Sequence, residues 1–144
     1  MQTIWITGGS SGIGLAVAKK FLANNWNVVI SSSNKNKLEE ATRKLKKQNK
    51  SNKIFSIVCD VTDYKKVSNT VSKIEKEISP INLALLSAAA YSPNKSQDFD
   101  IKNYELLIDV NLKGTINCID VLKNFMKGRG DHISVISSPV GFRG

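Results

Sequence analysis

A glycine-rich loop near the start of the chain constrains the fold more than any other feature. The apolar, β-branched residues 3–7 precede it, and apolar residues at helical spacing follow it from Ile13 to Ala23. The loop itself reads Thr7-Gly8-Gly9-Ser10-Ser11-Gly12-Ile13-Gly14. Glycines at these positions let the chain turn sharply and let the helix lie close to the strand. The segment therefore predicts a buried strand, a tight turn and a helix, which together open a βαβ unit.

The rest of the sequence continues this alternation of strands and helices. Periodicity predicts further strands over 27–31, 53–59, 83–86 and 132–136. It predicts further helices over 35–48, 67–78 and 101–126. Such alternation is typical of a parallel sheet with right-handed crossovers and helices on both faces. We therefore expect one α/β domain over 1–144, a Rossmann-like doubly wound sheet of five parallel strands in the order 3-2-1-4-5.

Composition excludes several other classes of protein. The 144 residues are 41% hydrophobic and 23% charged, as in ordinary globular domains. No apolar run approaches the ~20 residues that a membrane span needs, and no basic segment precedes an apolar leader. Cys59 and Cys118 lie far apart and suit small buried side chains in a reducing compartment. We expect a cytoplasmic protein without a membrane partner.

The formal net charge of +9 raises the question of a nucleic-acid partner. Basic residues crowd the stretch from Arg43 to Lys53, but no aromatic residue stands among them to stack on bases. A solvated helix face explains the stretch better, so we expect no nucleic-acid partner. The single histidine, His132, has no ligand partner at metal-binding spacing, so we expect no metal.

The glycine loop also has the chemistry of an anion site. A helix that starts directly after such a turn offers unpaired N–H groups and its positive dipole end to a phosphate. Gly8 permits the turn, Gly12 lets the backbone approach a pyrophosphate, and Gly14 lets the helix pack on the strand. A plain Gly/Ser turn is the alternative. The strand before the loop, the helix after it and a second strand within about 30 residues favour a dinucleotide site.

These segments resemble the short-chain dehydrogenase/reductase family. The loop T-G-G-S-S-G-I-G is similar to the family fingerprint, and Cys59-Asp60-Val61-Thr62-Asp63 is similar to its D-V segment. Asp109-Val110-Asn111-Leu112-Lys113-Gly114 resembles the V-N-x-x-G segment, and 132–138 resembles the segment that carries the active-site serine. The motifs occur in the family's order along the whole chain.

The resemblance implies a role for each matching residue. Ser138 would position a substrate carbonyl oxygen, and Asn111 would perturb its helix so that its backbone carbonyl holds a water of the proton relay. Ser32 and Ser33 would contact the adenosine ribose, and Asp60 would hold the adenine amino group. The implied cofactor-binding residues are Gly8, Ser10, Ser11, Gly12, Ile13, Gly14, Ser32, Ser33, Asp60, Val61, Ala88 and Ala89. The family's dimer face implies a homo-oligomer through the 101–126 helix.

The sequence departs from the family pattern in two places. Ser87-Ala88-Ala89 replaces the usual N-A-G. The family's Tyr and Lys, in a Y-x-x-x-K segment shortly after Ser138, have no counterpart there, so we interpret the sequence as a C-terminally truncated family pattern. In the family that Tyr is the acid that protonates the substrate oxygen. Without it, we expect these 144 residues by themselves to be inactive. The resemblance implies an oxidoreductase that moves hydride between a nicotinamide cofactor and a small carbonyl or alcohol substrate. The alternative is a non-catalytic NAD(P)-binding or sensing remnant.

The end of the second strand indicates which dinucleotide would bind. An acidic residue there would favour NAD, because it bonds the ribose 2′-OH and repels a 2′-phosphate. This chain has Ser31-Ser32-Ser33-Asn34-Lys35, with Lys37 close by. Hydroxyls, an amide and ammonium groups suit a phosphate, so we expect NADP, with NAD as the alternative.

Overall fold

Five parallel strands form one sheet, as the alternating pattern predicted. The computed structural model describes residues 1–49, 53–91 and 100–138. Its strands are β1 (Thr3–Thr7), β2 (Asn27–Ser32), β3 (Ile54–Val58), β4 (Leu83–Leu86) and β5 (His132–Val135). They lie in the order β3-β2-β1-β4-β5, which confirms the predicted order 3-2-1-4-5. Thr7 is in register with Ser31 on one side and Leu86 on the other, so three strands end at the same level.

Helices cover both faces of the sheet. They are α1 (Gly12–Ala23), α2 (Lys35–Gln48), α3 (Tyr64–Lys73), α4 (Ile101–Leu107) and α5 (Gly114–Met126). A π-helical turn, Ile74–Ile78, extends α3 to residue 78, where the predicted helix ends. Asn34 and Asp63 cap α2 and α3, each accepting a hydrogen bond from the backbone N–H three residues on. No helix of the three described ranges combines the length and the hydropathy of a bilayer-spanning segment.

The predicted single helix over 101–126 is wrong in one respect. A π-helical segment, Ile108–Lys113, separates α4 from α5. A π-turn adds a residue to the helical repeat, so the apolar positions before it and after it fall out of phase. Within this range Leu122 is fully buried, whereas the apolar residues Ile116 and Leu112 are more than half exposed. The residues of α5 that are buried are Gly114, Cys118, Val121, Leu122 and Met126.

The core consists of two clusters, one on each face of the sheet. Side chains alternate across β1, so Ile4 and Ile6 pack with α1 and α2, whereas Trp5 packs with α3 and α5. All five residues of β1 are buried, as expected for a central parallel strand covered on both faces. Trp5 donates its indole N–H to Ser31 Oγ at 3.1 Å. This bond gives the buried N–H a partner in place of water.

Candidate functional site

A cleft of about 430 Å³ opens at the carboxyl ends of the strands. Ligands bind at this edge in doubly wound sheets, where the strand order reverses. Every residue that the sequence predicted to bind a cofactor lines the cleft. These residues are Gly8, Ser10, Ser11, Gly12, Ile13, Gly14, Ser32, Ser33, Asp60, Val61, Ala88 and Ala89. Gly8 and Ala89, which are 81 positions apart in the chain, thus share one surface of the protein.

The glycine loop forms the floor of the cleft, and two of its glycines have no room for a side chain. Gly8 has a φ of +66°, and a Cβ there would lie 2.8 Å from Ala88 Cα. A Cβ on Gly14 would lie 2.6 Å from the Gly8 carbonyl oxygen. By contrast, a Cβ on Gly12 would meet no heavy atom within 4 Å, so open space lies above that position. A pyrophosphate fits this arrangement, because the space beside Gly12 is free and lets the phosphate groups approach the N-terminus of α1.

Hydrogen bonds between Thr7 and Ser87 hold the ends of β1 and β4 together. Thr7 Oγ1 accepts hydrogen bonds from the backbone N–H groups of Ser87 and Ala88, both at 3.1 Å. Ser87 donates its hydroxyl to the Thr7 carbonyl at 2.6 Å. The serine therefore joins the two strands even though the usual asparagine is absent. Ala89 has no positive φ, so alanine is accommodated there without backbone strain.

The loop after β2 forms one end of the cleft and carries no acidic side chain. Ser32 Oγ accepts a hydrogen bond from Asn34 N at 3.2 Å, and Asn34 Oδ1 accepts one from Lys37 N at 3.0 Å. Lys37 lines the cleft, whereas Lys35 lies within 3.9 Å of Glu39 on the outer surface of α2. Of the two lysines considered from the sequence, only Lys37 therefore faces the cleft.

The loop after β3 brings a carboxylate to the cleft. Asp60 Oδ1 accepts hydrogen bonds from the backbone N–H and the hydroxyl of Thr62, at 3.0 and 2.8 Å. Cys59 precedes it and is 2% exposed, and burial raises the pKa of its thiol. Burial also raises the pKa of Cys118 to about 12, so both thiols stay protonated at neutral pH.

The two residues predicted to be catalytic do not line the cleft. Asn111 lies in the π-helical segment, where its amide accepts a hydrogen bond from Ala90 N at 2.8 Å and donates one to Ala90 O at 3.0 Å. Its own carbonyl accepts the Thr115 hydroxyl at 2.8 Å. Ser138 is exposed and follows Ile136, which does line the cleft. The predicted helix perturbation at Asn111 is present, and the catalytic roles stay predictions.

Six further residues line the cleft that were not among the predicted cofactor-binding residues, although Asn34 and Lys37 were considered as groups suited to a phosphate: Asn34, Lys37, Cys59, Ser87, Val110 and Ile136. Most of them are adjacent in sequence to residues that were predicted for the site, and this adjacency could have identified them. Lys37 had a second signal, because it lies three residues after the helix cap Asn34 and so points back over the first turn.

One tyrosine and lysine do stand at the Y-x-x-x-K spacing, at Tyr91 and Lys95. They precede the serine segment instead of following it, unlike the family's pair. Tyr91 is 87% exposed, and Lys95 lies outside the described residues.

A parallel sheet in the order 3-2-1-4-5 with a glycine-floored cleft at its carboxyl edge defines a Rossmann-like protein. Comparison with known sequences specifies the family. The sequence model described as short chain dehydrogenase matches residues 2–144. The chain therefore belongs to the short-chain dehydrogenase/reductase family, as its motifs predicted.

Individual relatives include several reductases. The chain is 30% identical over 138 residues to an uncharacterized oxidoreductase of Staphylococcus saprophyticus, covering 95% of this chain and 58% of that protein. It is 36% identical over 146 residues to a 3-oxoacyl-(acyl-carrier-protein) reductase of Rickettsia bellii, covering 99% and 56%. It is 33% identical over 142 residues to a 3-dehydrosphinganine reductase of Arabidopsis thaliana, covering 96% and 41%. The chain thus spans about half the length of the curated relatives it matches.

Solved structures support the same fold. An actinorhodin polyketide ketoreductase variant with NADPH superposes with a TM-score of 0.90 at 19% identity, covering 99% of this chain and 55% of that one. A short-chain type dehydrogenase/reductase from Mycobacterium ulcerans superposes with a TM-score of 0.86 at 25% identity, covering 95% and 51%.

Proposed function

We propose that the full-length protein carrying this sequence is an NAD(P)-dependent oxidoreductase acting on a small carbonyl or alcohol substrate. The observation that carries the proposal is the cleft, where the glycine loop, the β2 loop and Asp60 come together. Residues 1–144 would form its dinucleotide-binding domain. The reductase names of several relatives support the reaction class, but the substrates in those names belong to those proteins.

The residues of the cleft fit a nicotinamide dinucleotide. The N-terminus of α1 and the open space beside Gly12 suit a pyrophosphate. Asp60 and Val61 would contact the adenine, and Ala88 and Ala89 the ribose next to the nicotinamide. When bound, the cofactor supplies or accepts the hydride. Ser138 would position the substrate carbonyl oxygen, and Asn111 would hold a water through its backbone carbonyl.

A proton donor must accompany the hydride when a carbonyl is reduced. The family uses a tyrosine whose pKa is lowered by a neighbouring lysine, in a segment after the serine strand. We therefore expect a polypeptide of these 144 residues alone to bind the dinucleotide without reducing carbonyls. A longer polypeptide that also carried such a tyrosine and lysine would do both. Dinucleotide binding without turnover by the full-length protein would instead favour a non-catalytic binding or sensing role.

We further propose NADP(H) as the preferred cofactor. Ser32, Ser33 and Lys37 line the cleft end where a 2′-phosphate would lie. Lys37 has no ion-pair partner within the described part of the chain, so its charge is available to an anion. A carboxylate that would repel the phosphate is absent from 31–38.

Fluorescence titration of the full-length protein with NADPH and NADH tests this cofactor assignment. We expect tighter binding of NADPH, and we expect Lys37→Gln to weaken it about tenfold, the size of one charge-assisted hydrogen bond. The matched control, Lys35→Gln, removes an equal charge outside the cleft and should change the NADPH/NADH ratio little. Ser32→Asp should shift preference to NADH. An unchanged ratio in both Lys37→Gln and Ser32→Asp would show that NADP is the wrong cofactor.

We also propose that the full-length protein is a homo-oligomer that pairs through α4 and α5. Apolar side chains on these helices and on the π-helical segment between them are exposed to an unusual extent for a monomer, among them Ile108 at 50%, Leu112 at 56% and Ile116 at 55%. These three residues, which lie four positions apart on the π-helical segment and the first turn of α5, form the exposed stripe. A second copy of the same stripe would cover it.

A further inference from the structure

A side chain on α5 bonds the loop that carries Asp60. Asn117 Nδ2 donates to the Val61 carbonyl at 2.9 Å and also lies 3.3 Å from the Thr62 carbonyl. Asn117 is half-buried and lies 56 residues from Val61 in the chain. The bond therefore joins α5 to the loop between β3 and α3, which forms one end of the cleft.

The same loop is held against α5 by close packing. A Cβ on Gly114 would lie 2.5 Å from Val61 Cγ2, so only glycine lets the helix approach this side chain. Val61 is 7% exposed and lines the cleft next to Asp60. Asn117 and Gly114, three residues apart, lie on one face of α5. Asn117 bonds the carbonyls of the loop, and Gly114 packs against the Val61 side chain.

The direction of the Asp60 carboxylate depends on this loop. Its Oδ1 accepts both hydrogen bonds from Thr62, the residue whose carbonyl Asn117 also contacts. A shift of Thr62 would therefore move the carboxylate with it. Hydrogen bonds are directional, and a small rotation of the acceptor weakens them steeply.

We propose that Asn117 is a positioning residue for adenine recognition: it holds the β3–α3 loop so that the Asp60 carboxylate meets the exocyclic amino group of the adenine. The inference rests on the proposed function, because it takes a dinucleotide as the ligand. It adds a residue that does not itself line the cleft. Asn117 acts on selectivity for the base and not on the reacting atoms.

Binding of two dinucleotides to the full-length protein tests the proposal. The probes are NADPH and its hypoxanthine analogue, in which a carbonyl replaces the adenine amino group. We expect the wild type to prefer NADPH about tenfold, as one hydrogen bond to a carboxylate would give. Asn117→Leu keeps the side-chain volume and removes the donor, so the preference should fall at least about threefold. Asn124→Leu is the control, because Asn124 on the same helix donates, among the described residues, only to Asp120 O at 3.4 Å.

The ratio of the two affinities separates positioning from general destabilisation, which would weaken both ligands equally. In an Asp60→Asn background the preference should already be lost, and adding Asn117→Leu should reduce it no further. If Asn117→Leu does not fold, Asn117→Ser carries the same comparison.

Three outcomes would overturn the proposal, and they are distinguishable. An unchanged ratio in Asn117→Leu, with a clear preference in the wild type, refutes the role of Asn117 alone. Equal wild-type affinity for the two dinucleotides refutes adenine recognition by Asp60. Absence of any dinucleotide binding by the wild type refutes the proposed function as well.

Discussion

At the scale of single residues, small side chains determine the shape of the cleft. Gly14 lies in the first turn of α1, and a Cβ there would lie 2.6 Å from the Gly8 carbonyl oxygen and 2.8 Å from the Ser87 hydroxyl oxygen. Both neighbours are fixed, since Gly8 is in the tight turn and Ser87 donates to Thr7. A methyl group at position 14 has no space, so the loop and the helix would have to separate.

We expect Gly14→Ala to lower the free energy of unfolding by roughly 1–3 kcal/mol, as overpacking of a tight interior does. The added Cβ would lie 2.6 Å from a backbone oxygen, which cannot rotate away as a flexible side chain could. Ala16→Ser, on an exposed position of the same helix, is the control and should change stability little. Urea denaturation measures both. Equal stability of Gly14→Ala and wild type would contradict this close approach.

The buried thiol of Cys118 predicts a pH dependence of stability. Burial raises its pKa from the ordinary value of 9.0 to about 12, so the folded state disfavours the thiolate. In the unfolded state the thiol ionises first as pH rises, and this favours unfolding. The stabilisation is therefore complete below about pH 9 and is lost between about pH 9 and pH 12.

Urea denaturation at several pH values from 8 to 11 would measure this loss. We expect the wild type to lose stability more steeply with pH than Cys118→Val, which has no titrating group and a similar volume. Parallel pH profiles for the two proteins would show that the thiol ionises equally easily in both states.

At the scale of elements, a cluster of charged side chains connects the segments at the amino-terminal ends of β4 and β5. Arg129 donates to both carboxylate oxygens of Glu75, at 2.8 and 3.0 Å, and to Asp131 at 2.6 Å. It also donates to the Ile81 carbonyl just before β4. The Glu75 and Asp131 side chains are only 10% and 5% exposed, and Glu75 raises the pKa of Arg129 further. The cluster joins the π-turn after α3 to the starts of β4 and β5.

We expect Arg129→Gln to lower the free energy of unfolding by about 2–4 kcal/mol, because two largely buried carboxylates lose their counter-charge. Lys35→Gln serves as the control. It breaks the 3.9 Å contact with Glu39, in which both side chains are mostly exposed, and should have little effect. Thermal and urea denaturation report both changes. A small effect of Arg129→Gln would mean that solvent replaces its contacts.

At the scale of the whole molecule, the exposed stripe on α4 and α5 predicts assembly. Its residues Ile108, Leu112 and Ile116 are apolar and at least half exposed. Burying apolar surface between two copies is favourable by about 25 cal/mol per Å². A self-complementary face of this kind is typical of a two-fold homodimer.

We expect the full-length protein to sediment as an oligomer and the double substitution Leu112→Glu, Ile116→Glu to shift it toward monomer. Charges at both positions would be desolvated in the interface and would repel their copies. Val58→Glu, at an exposed apolar position on β3, controls for loss of surface hydrophobicity. Analytical ultracentrifugation distinguishes the species. A wild-type monomer, or a variant that stays oligomeric, would refute pairing through this stripe.

Sequence alone was sufficient for the sheet, its strand order and most residues of the cleft. Local patterns carry this information. Period-two and continuous apolar runs specify strands, the Gly8-to-Gly14 spacing specifies a turn that leads into a helix, and alternation requires crossovers. Residues such as Asp60 and Ala88 then follow strand ends, which a parallel sheet places along one edge.

Other features were decided only when the chain folded. Periodicity could not show which apolar face of 101–126 is buried, because a π-helical segment changes the phase between α4 and α5. It could not distinguish Lys37, which lines the cleft, from Lys35, two residues away. The bond from Asn117 to Val61 joins residues 56 positions apart, and nothing local to either residue specifies it. Sequence patterns indicate the secondary structure of each segment, whereas contacts between residues far apart in the chain depend on how the segments pack together.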